Sequence, residues 1–458
     1  MRVKLGVPLT INEISDFTNG KTNSDKKALI THISTDTRDL QAGDLFVALC
    51  GEKFNGEDFS ARAKELGAYV MSSCYSSASV IVKNTRESLI SLAKGYKALI
   101  KVPYTVAITG SVGKTTTKEL ISHIASAKFK IHSTDKNFNN EIGVPMTIIS
   151  SPADTDILIL EMGMNNFGEL STLSHCATPD LVVITNIGTA HIGNLGSREM
   201  IARAKLEILD GASEKAKAII PHGEALLSFI PGKITFSSSD SSADCYIEND
   251  SIQNGRFRYH SKRYGVIDVH LSLTGNHIRE CLAPALSVCE EIGMNKSDLE
   301  CGISKVPREL SRGVIKKVGK IIIFDDSYNS STEAVESSLK TLISLPYPKK
   351  SAVLGDMHEL GTYTEYLHKR IGEMSALSGI SRLYTIGVYS EFIAKGAIDS
   401  GFDKNNIFKN SNPTNPYETA KQIFLNADDG EVILFKASHS LKLERVIDCL
   451  KELYEKTS

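Results

Sequence analysis

The nine residues Thr109–Thr117, TGSVGKTTT, constrain this chain more than any other stretch. An apolar run, Val106-Ala107-Ile108, precedes them, and a helix-compatible run, Lys118-Glu119-Leu120-Ile121, follows. A strand, a glycine turn and a helix in that order predict a phosphate-binding loop. Gly110 and Gly113 let the backbone bend and bring its N–H groups close to phosphate oxygens. Ser111, Val112 and Thr116 complete the cradle, and the helix start adds unpaired N–H groups and its positive dipole end. Lys114 supplies a charge for the terminal phosphates and Thr115 a hydroxyl for Mg²⁺. The usual pattern places a glycine five residues before the Gly-Lys pair, where this chain has Ile108, so the loop is the tighter T-G-x-x-G-K-T. ATP is the expected ligand.

A chain of 458 residues suggests about three domains at ~150 residues each. Its net charge of -2 gives no basis for binding nucleic acid or a membrane surface through bulk charge. No apolar run approaches the ~20 residues of a membrane span. Met1–Thr10 lacks the apolar core of a signal peptide, so a cytoplasmic protein is expected. The eight cysteines form no C-x-x-C pair and are expected to be reduced, mostly core thiols.

Residues 1–83 predict a small α/β domain: strands at 32–38, 44–51 and within AYVMSS and SVIVKN, with one helix over 58–67 ending at Gly67. Its polar turns, Thr35-Asp36-Thr37-Arg38 and Lys53-Phe54-Asn55-Gly56, read from composition alone as ordinary turns. Residues 84–310 predict a central ATP-binding domain. It opens with an amphipathic helix, Thr85–Leu99, showing Leu89, Leu92, Ala93 and Tyr96 on one face. A buried strand from Asp156 ends in Glu161, a carboxylate where an Mg²⁺-holding or water-orienting acid belongs. A second strand, from Leu181, leads to Gly188-Thr189-Ala190-His191, and NFNNEIGVP (137–145) reads as a polar loop. A helix over 197–209 carries Lys205. KITF, DCYIEND, GRFRYH and GVIDVHLSLTG predict antiparallel strands, and helices follow at 281–291 and 296–304. Residues 311–458 predict a doubly wound α/β unit with Asp326, Asp356 and Lys436 at carboxyl ends of strands, the edge where such folds bind ligands.

The loop is accompanied by STDTRDLQAGDLFVAL (34–49), NFNNEIGVP, EMGMNNFGEL (161–170), TNIGTAHIGNLGSREMIARAKLEIL (185–209), DDSYNSS (325–331), GDMHELG (355–361) and FKASHS (435–440). With these motifs the chain resembles the Mur ligase family over nearly its whole length. The resemblance implies three α/β domains: a small N-terminal one, a central P-loop ATPase-like one with an added antiparallel sheet, and a C-terminal Rossmann-like one. It implies an ATP-dependent ligase that joins D-alanyl-D-alanine to UDP-N-acetylmuramoyl-tripeptide through an acyl phosphate, in peptidoglycan precursor synthesis, and acts as a monomer. By the same resemblance Thr115 and Glu161 hold one Mg²⁺ and His191 a second, while Lys205 is carbamylated to become a carboxylate-like ligand. Asn140 lies near the γ-phosphate, Arg312 and Asp326 close over phosphate and ribose, and Thr35, Asp36, Arg38, Asn55 and Gly56 hold the UDP group. Lys114, His191 and Lys205 are the expected catalytic residues.

The chain departs from the family pattern at Ile278 and Cys281, where two asparagines are expected, at Ser331 in place of an amide, and at His439 in place of an arginine. Two alternatives follow. One is a paralogous ligase with another carboxylate or amine; the other is a non-catalytic nucleotide-binding partner.

Overall fold

The structure is a computed structural model that describes every residue except 52–53, 252–254, 272, 274–275 and 457–458. It has a three-domain α/β architecture carried by three large sheets. The chain packs as two compact units. One is Met1–Thr109 with Lys128–Val183 and Ala204–Ala218; the other is Gly110–Ala127 with Ile184–Arg203 and Ile219–Ser458.

In the first unit the N-terminal strands are β1 (Arg2–Thr10), β2 (Lys21–Thr22), β3 (Leu29–Ser34), β4 (Leu45–Val47), β5 (Cys50–Gly51), β6 (Phe54–Asn55), β7 (Tyr69–Ser72) and β8 (Val80–Ile81). Six of them form a sheet in the order β1-β3-β4-β7-β8-β2, and β5 pairs with β6 in a separate hairpin. The strand expected over 32–38 stops at Ser34. Asp36 ends it by accepting the Arg38 N–H at 3.0 Å and the Arg38 Nε at 2.9 Å, local bonds that compete with the ladder. One helix was expected in this domain, but a second, Ile11–Thr18, precedes it. Its start is a capping box: Glu13 N–H donates to Thr10 Oγ1 at 3.2 Å and Thr10 N–H to Glu13 Oε2 at 2.7 Å. The expected helix covers Ser60–Glu65, followed by Gly67 at φ +79°.

The helix Thr85–Ile100 buries Leu89, Leu92, Ala93 and Tyr96 completely, as its periodicity requires. The Tyr96 hydroxyl donates to Ser151 O at 2.7 Å and accepts from Val7 N–H at 2.7 Å. Strands β9 (Tyr104–Thr109), β10 (Ile131–Ser133), β11 (Ile157–Glu161) and β12 (Leu181–Ile184) follow. β11 pairs in parallel with both β10 and β9, and its unbroken apolar run is buried throughout. NFNNEIGVP is a loop only in its first half. The helix Gly143–Ile149 starts within it and accommodates Pro145 in its first turn.

In the second unit the helix Lys114–Ala125 continues from the glycine loop. Strands β13 (Lys217–Pro221), β14 (Ile234–Ser237), β15 (Cys245–Ser251), β16 (Arg256–Ser261) and β17 (Gly265–His270) complete a nine-stranded sheet, order β10-β11-β9-β12-β13-β14-β15-β16-β17. β15, β16 and β17 are antiparallel as expected, but KITF is not: β14 is parallel to both β13 and β15. The serine-rich loop is no hairpin. Ser237 Oγ accepts from Asp240 N–H at 2.9 Å, and Asp244 accepts from Thr235 N–H at 2.8 Å, so the chain is brought round to restart beside β14 in the same direction. The helix expected from Cys281 begins at Asn276 and runs to Glu291.

The third sheet has the order β18-β19-β23-β20-β21-β22, built from β18 (Val314–Val318), β19 (Ile321–Asp325), β20 (Lys350–Gly355), β21 (Arg382–Ile386), β22 (Ile407–Asn410) and β23 (Val432–Lys436). Only the β18–β19 pair is antiparallel. The helix Ser390–Asp399 lies between β21 and β22. The last helix starts at Glu444, after a single turn His439–Leu441 and Lys442 at φ +50°. Ile321, Ile323, Val353, Ile433 and Phe435 form the core with Val446 and Leu450 from that helix.

All eight cysteines are free, but only Cys176, Cys245, Cys281 and Cys289 are buried, so the thiols are divided between core and surface rather than mostly core. Among the described residues no helix is long and apolar enough to cross a membrane.

Candidate functional site

The glycine loop leaves the carboxyl end of β9 and becomes the helix Lys114–Ala125 through Gly113, which caps it at φ +83° with no side-chain cap. A helix start without a capping side chain is a general place for an anion. At Gly110, φ is +151° and a Cβ would lie 1.8 Å from Thr185 Oγ1, so no other residue fits. Asn186 pins the loop from behind. Its Oδ1 accepts from the N–H groups of Ser111 and Val112, both at 3.0 Å, and its Nδ2 donates to Val112 O at 3.2 Å. Thr185 Oγ1 donates to the same carbonyl at 2.6 Å, and Gly188 N–H donates to Ser111 Oγ at 2.9 Å. Lys114 Nζ lies along the loop, 2.7 Å from Gly110 O. Cys281 packs beneath it, Sγ 3.7 Å from Gly113 O, and burial pushes its thiol up to about 12, so it stays protonated and can donate.

Glu161 ends β11 in register with Ile108 of β9 and is buried. Its backbone N–H donates to Thr134 Oγ1 at 3.0 Å, and Asn139 Nδ2 donates to its Oε1 at 2.8 Å. Asn140 is the next residue of that loop. Its Oδ1 accepts from Ile142 N–H at 3.1 Å and Gly143 N–H at 2.9 Å, fixing the start of the next helix. Lys205, in the helix Arg198–Leu206, is only 2% exposed, an unusual position for a lysine.

His191 stands at φ +65°, ahead of the short helix Ile192–Leu195. Its Nδ1 is hydrogen-bonded to Glu359 Oε2, which holds the Glu359 carboxyl below its usual range. Nearby, Thr189 N–H donates to Glu333 Oε1 at 2.7 Å. Asp326 follows β19. It accepts from buried Lys436 Nζ at 2.6 Å and from Ser338 Oγ at 2.6 Å. The Arg312 guanidinium lies 3.3 Å from the centre of the Tyr328 ring, and His439 packs on the same ring at 5.1 Å. Asp356 is occupied structurally, accepting from Val388 N–H at 2.8 Å and Tyr389 N–H at 2.9 Å ahead of the helix Ser390–Asp399. Of the departures from pattern, Ser331 caps the helix Thr332–Ser344 and Ile278 is buried.

The two expected UDP turns are separate structures. Thr35–Arg38 closes on itself through Asp36 and Arg38, and the guanidinium lowers the Asp36 carboxyl well below its usual range. Asn55 caps the turn Gly56–Phe59 by accepting from Glu57 N–H at 3.2 Å. Gly56 N–H donates to Leu49 O at 2.8 Å, and a Cβ there would lie 2.4 Å from that carbonyl oxygen. Lys53 lies outside the described residues. Among the described residues no three His, Cys, Asp or Glu side chains cluster as a metal site.

Residue-by-residue reading did not single out Asn139, Thr185, Asn186, Glu333 or Glu359. Asn186 carries the signal that marked Glu161, a polar side chain just past a buried apolar strand. Glu359 carries no local signal beyond the GDMHELG motif, and Glu333 carries none.

A glycine loop of this geometry, with a Rossmann-like third sheet, defines a P-loop nucleotide-binding α/β protein. Three family models match in succession: the Mur ligase family catalytic domain over residues 29–105, the Mur ligase middle domain over 108–288, and the Mur ligase glutamate ligase domain over 313–439. The chain is 34% identical over 454 residues to the UDP-N-acetylmuramoyl-tripeptide–D-alanyl-D-alanine ligase of Bacillus subtilis, covering 97% of this chain and 98% of that one. The crystal structure of MurF ligase from Thermotoga maritima in complex with ADP superposes with a TM-score of 0.81 at 28% identity, covering 93% of this chain and 98% of that one. A MurF structure from Acinetobacter baumannii shares the fold, with a TM-score of 0.88 at 24% identity over 98% of this chain and 100% of that one. The chain belongs to the Mur ligase family.

Proposed function

We propose that this chain joins D-alanyl-D-alanine to UDP-N-acetylmuramoyl-tripeptide at the expense of ATP, in the cytoplasmic synthesis of peptidoglycan precursor. The observation that carries the reading is end-to-end similarity to the Bacillus subtilis ligase with the phosphate loop intact. The peptide's terminal carboxylate attacks the γ-phosphorus of ATP. The bond to the β,γ-bridging oxygen breaks, ADP leaves, and an acyl phosphate forms. The neutral amine of D-alanyl-D-alanine then attacks the acyl carbon, an amide forms, and inorganic phosphate departs. A free α-amino group near pKa ~8 needs little help to lose its proton.

In this reading Gly110–Thr116 cradle the phosphates and Lys114 spreads the charge that develops on them. Asn140 reaches toward the γ-phosphate, Arg312 and Asp326 bind phosphate and ribose, and Thr35, Asp36, Arg38, Asn55 and Gly56 hold the UDP group. The Thr115 hydroxyl and Glu161 carboxylate are hard oxygen donors that suit Mg²⁺. His191 offers a ring nitrogen, and Lys205 becomes an oxygen donor once carbamylated. Two Mg²⁺ ions held by these four residues would neutralise the repulsion between the phosphates and the attacking carboxylate. The enzyme acts as a monomer.

Phosphate release with ATP, Mg²⁺, UDP-N-acetylmuramoyl-tripeptide and D-alanyl-D-alanine, with single omissions, tests the reading. Release should require all four. Release that persists without D-alanyl-D-alanine, or that needs another amine, points to a paralogous ligase. The replacements at Ile278, Cys281 and His439 favour that second reading. ATP binding without turnover under any combination marks a non-catalytic nucleotide-binding protein.

A further inference from the structure

The segment 186–196 is gripped at several points by residues of the third-sheet domain, all within the second compact unit. Glu333, in the first turn of the helix Thr332–Ser344, accepts from Thr189 N–H at 2.7 Å and from Thr189 Oγ1 at 3.2 Å. It sits so close to Gly188 that a Cβ there would lie 2.7 Å from its carboxyl carbon. Glu359 O accepts from Gly193 N–H at 2.9 Å while its side chain holds His191 Nδ1. Tyr363 OH donates to Gly196 O at 3.1 Å. Gly193 and Gly361 meet backbone to backbone. A Cβ on Gly193 would lie 2.4 Å from Gly361 N, and one on Gly361 would lie 2.9 Å from Gly193 Cα.

Two of the residues in this contact are strained. His191 and Glu359 lie at φ +65° and +62°, a region that residues with a side chain rarely adopt. Such conformations persist only where the surroundings over-determine them. The other end of the segment is tied to the phosphate loop, through Asn186 to Ser111 and Val112 and through Gly188 to Ser111 Oγ. A carboxylate on Nδ1 also selects which imidazole nitrogen keeps its proton, leaving Nε2 with its lone pair free for a ligand.

We propose that Glu333 and Glu359 are positioning residues. Docking of the third-sheet domain through these two carboxylates sets the conformation of 186–196, orients His191 Nε2 for the Mg²⁺ it would hold, and is felt at the phosphate loop. The proposal rests on the reading above in taking His191 as a metal ligand. The docking itself does not depend on which amine is the substrate.

The test uses the full-length chain with Glu333→Ala, Glu359→Leu and Glu359→Gln. Two measurements are made: hydrogen exchange of the peptide spanning 186–196, and ATP binding by calorimetry over a range of Mg²⁺ concentrations. Glu333→Ala frees the Thr189 N–H and should speed exchange in that peptide at least about tenfold, because a protected amide is opened. Glu359→Leu should raise the Mg²⁺ concentration for half-maximal ATP binding by about 10-fold or more, the usual cost of losing the partner that orients a metal-binding histidine. Glu359→Gln keeps an acceptor for Nδ1 and should recover most of that loss. Unchanged exchange in Glu333→Ala overturns the docking. An unchanged Mg²⁺ response in Glu359→Leu, or a Gln variant as impaired as the Leu variant, overturns the positioning role. Both measurements work without the peptide substrates. Failure of the ligase assay with these results intact would therefore count against the assigned reaction and not against the docking.

Discussion

Asn186→Ala should weaken ATP binding without touching any atom that meets the nucleotide. The substitution removes two acceptor contacts to Ser111 and Val112 N–H and one donor contact to Val112 O. Ser111 N–H keeps a longer bond to the Asn186 backbone carbonyl at 3.3 Å, and Val112 O keeps the Thr185 hydroxyl. Val112 N–H is the group most clearly left without its partner. A net hydrogen bond contributes about 1 kcal/mol, so the loop loses about 2 kcal/mol of preorganisation. At 1.4 kcal/mol per decade this is a roughly 30-fold rise in the Kd for ATP. Calorimetric titration with ATP and Mg²⁺ measures it directly, with far-UV circular dichroism to confirm that the variant is folded. In the proposed reading the loop's contacts are divided: Asn186 holds the Ser111 and Val112 N–H groups from behind, and the rest of the loop serves the phosphates. A folded variant whose Kd for ATP moves less than about threefold would refute that division.

Four other outcomes follow. Lys205→Ala should cut phosphate release by on the order of 100-fold, since losing even an orienting partner of a metal ligand typically costs 10–100-fold; a small carboxylic acid should restore part of it, and full activity in the variant would remove Lys205 from the site. Lys436→Met leaves the Asp326 carboxylate facing a space its partner had filled, and should destabilise the third domain by about 3 kcal/mol in urea unfolding, with Asp326→Asn in the same chain recovering part of the loss. His368 is buried, donates from Nδ1 to Thr364 O at 2.6 Å and accepts Met357 N–H on Nε2 at 2.9 Å, so the folded state holds it neutral. Burial lowers its pKa, as it does for His132. Above the unfolded value near ~6.5 neither state binds the proton and nothing is lost; as pH falls below it the unfolded chain takes up the proton first, so stability should decline toward the folded pKa and then level off. Thermal unfolding between pH 7 and 5 checks this, and His368→Gln should flatten the decline. Gly193→Ala should produce the same faster exchange across 186–196 as Glu333→Ala, because a Cβ there has no room against Gly361.

Contiguous residues were enough to predict the phosphate loop, the amphipathic helix at 85–100, the buried strand ending in Glu161 and the alternating third domain. In each, the deciding interactions are local: side-chain period, glycine conformational freedom and the unpaired N–H groups of a helix start. The capping box at Thr10 and Glu13 was equally local, and the helix it starts could have been read from it. The direction of β14 could not, because a short apolar run looks the same whether its neighbour runs parallel or antiparallel; the Asp244–Thr235 and Ser237 bonds that turn the chain decide it. Nor could the partners of the site residues be read. Asn186 meets Ser111 across 75 positions, Thr189 meets Glu333 across 144, and His191 meets Glu359 across 168. A carboxylate's neighbours along the chain carry no record of such distant partners. The sequence by itself determined which chemistry this protein carries, since glycines, a lysine and hydroxyls in a fixed local order suffice for a phosphate site. Only the tertiary structure decided what holds that chemistry in place, because hydrogen bonds between remote segments exist only once the sheets have brought their strand ends together.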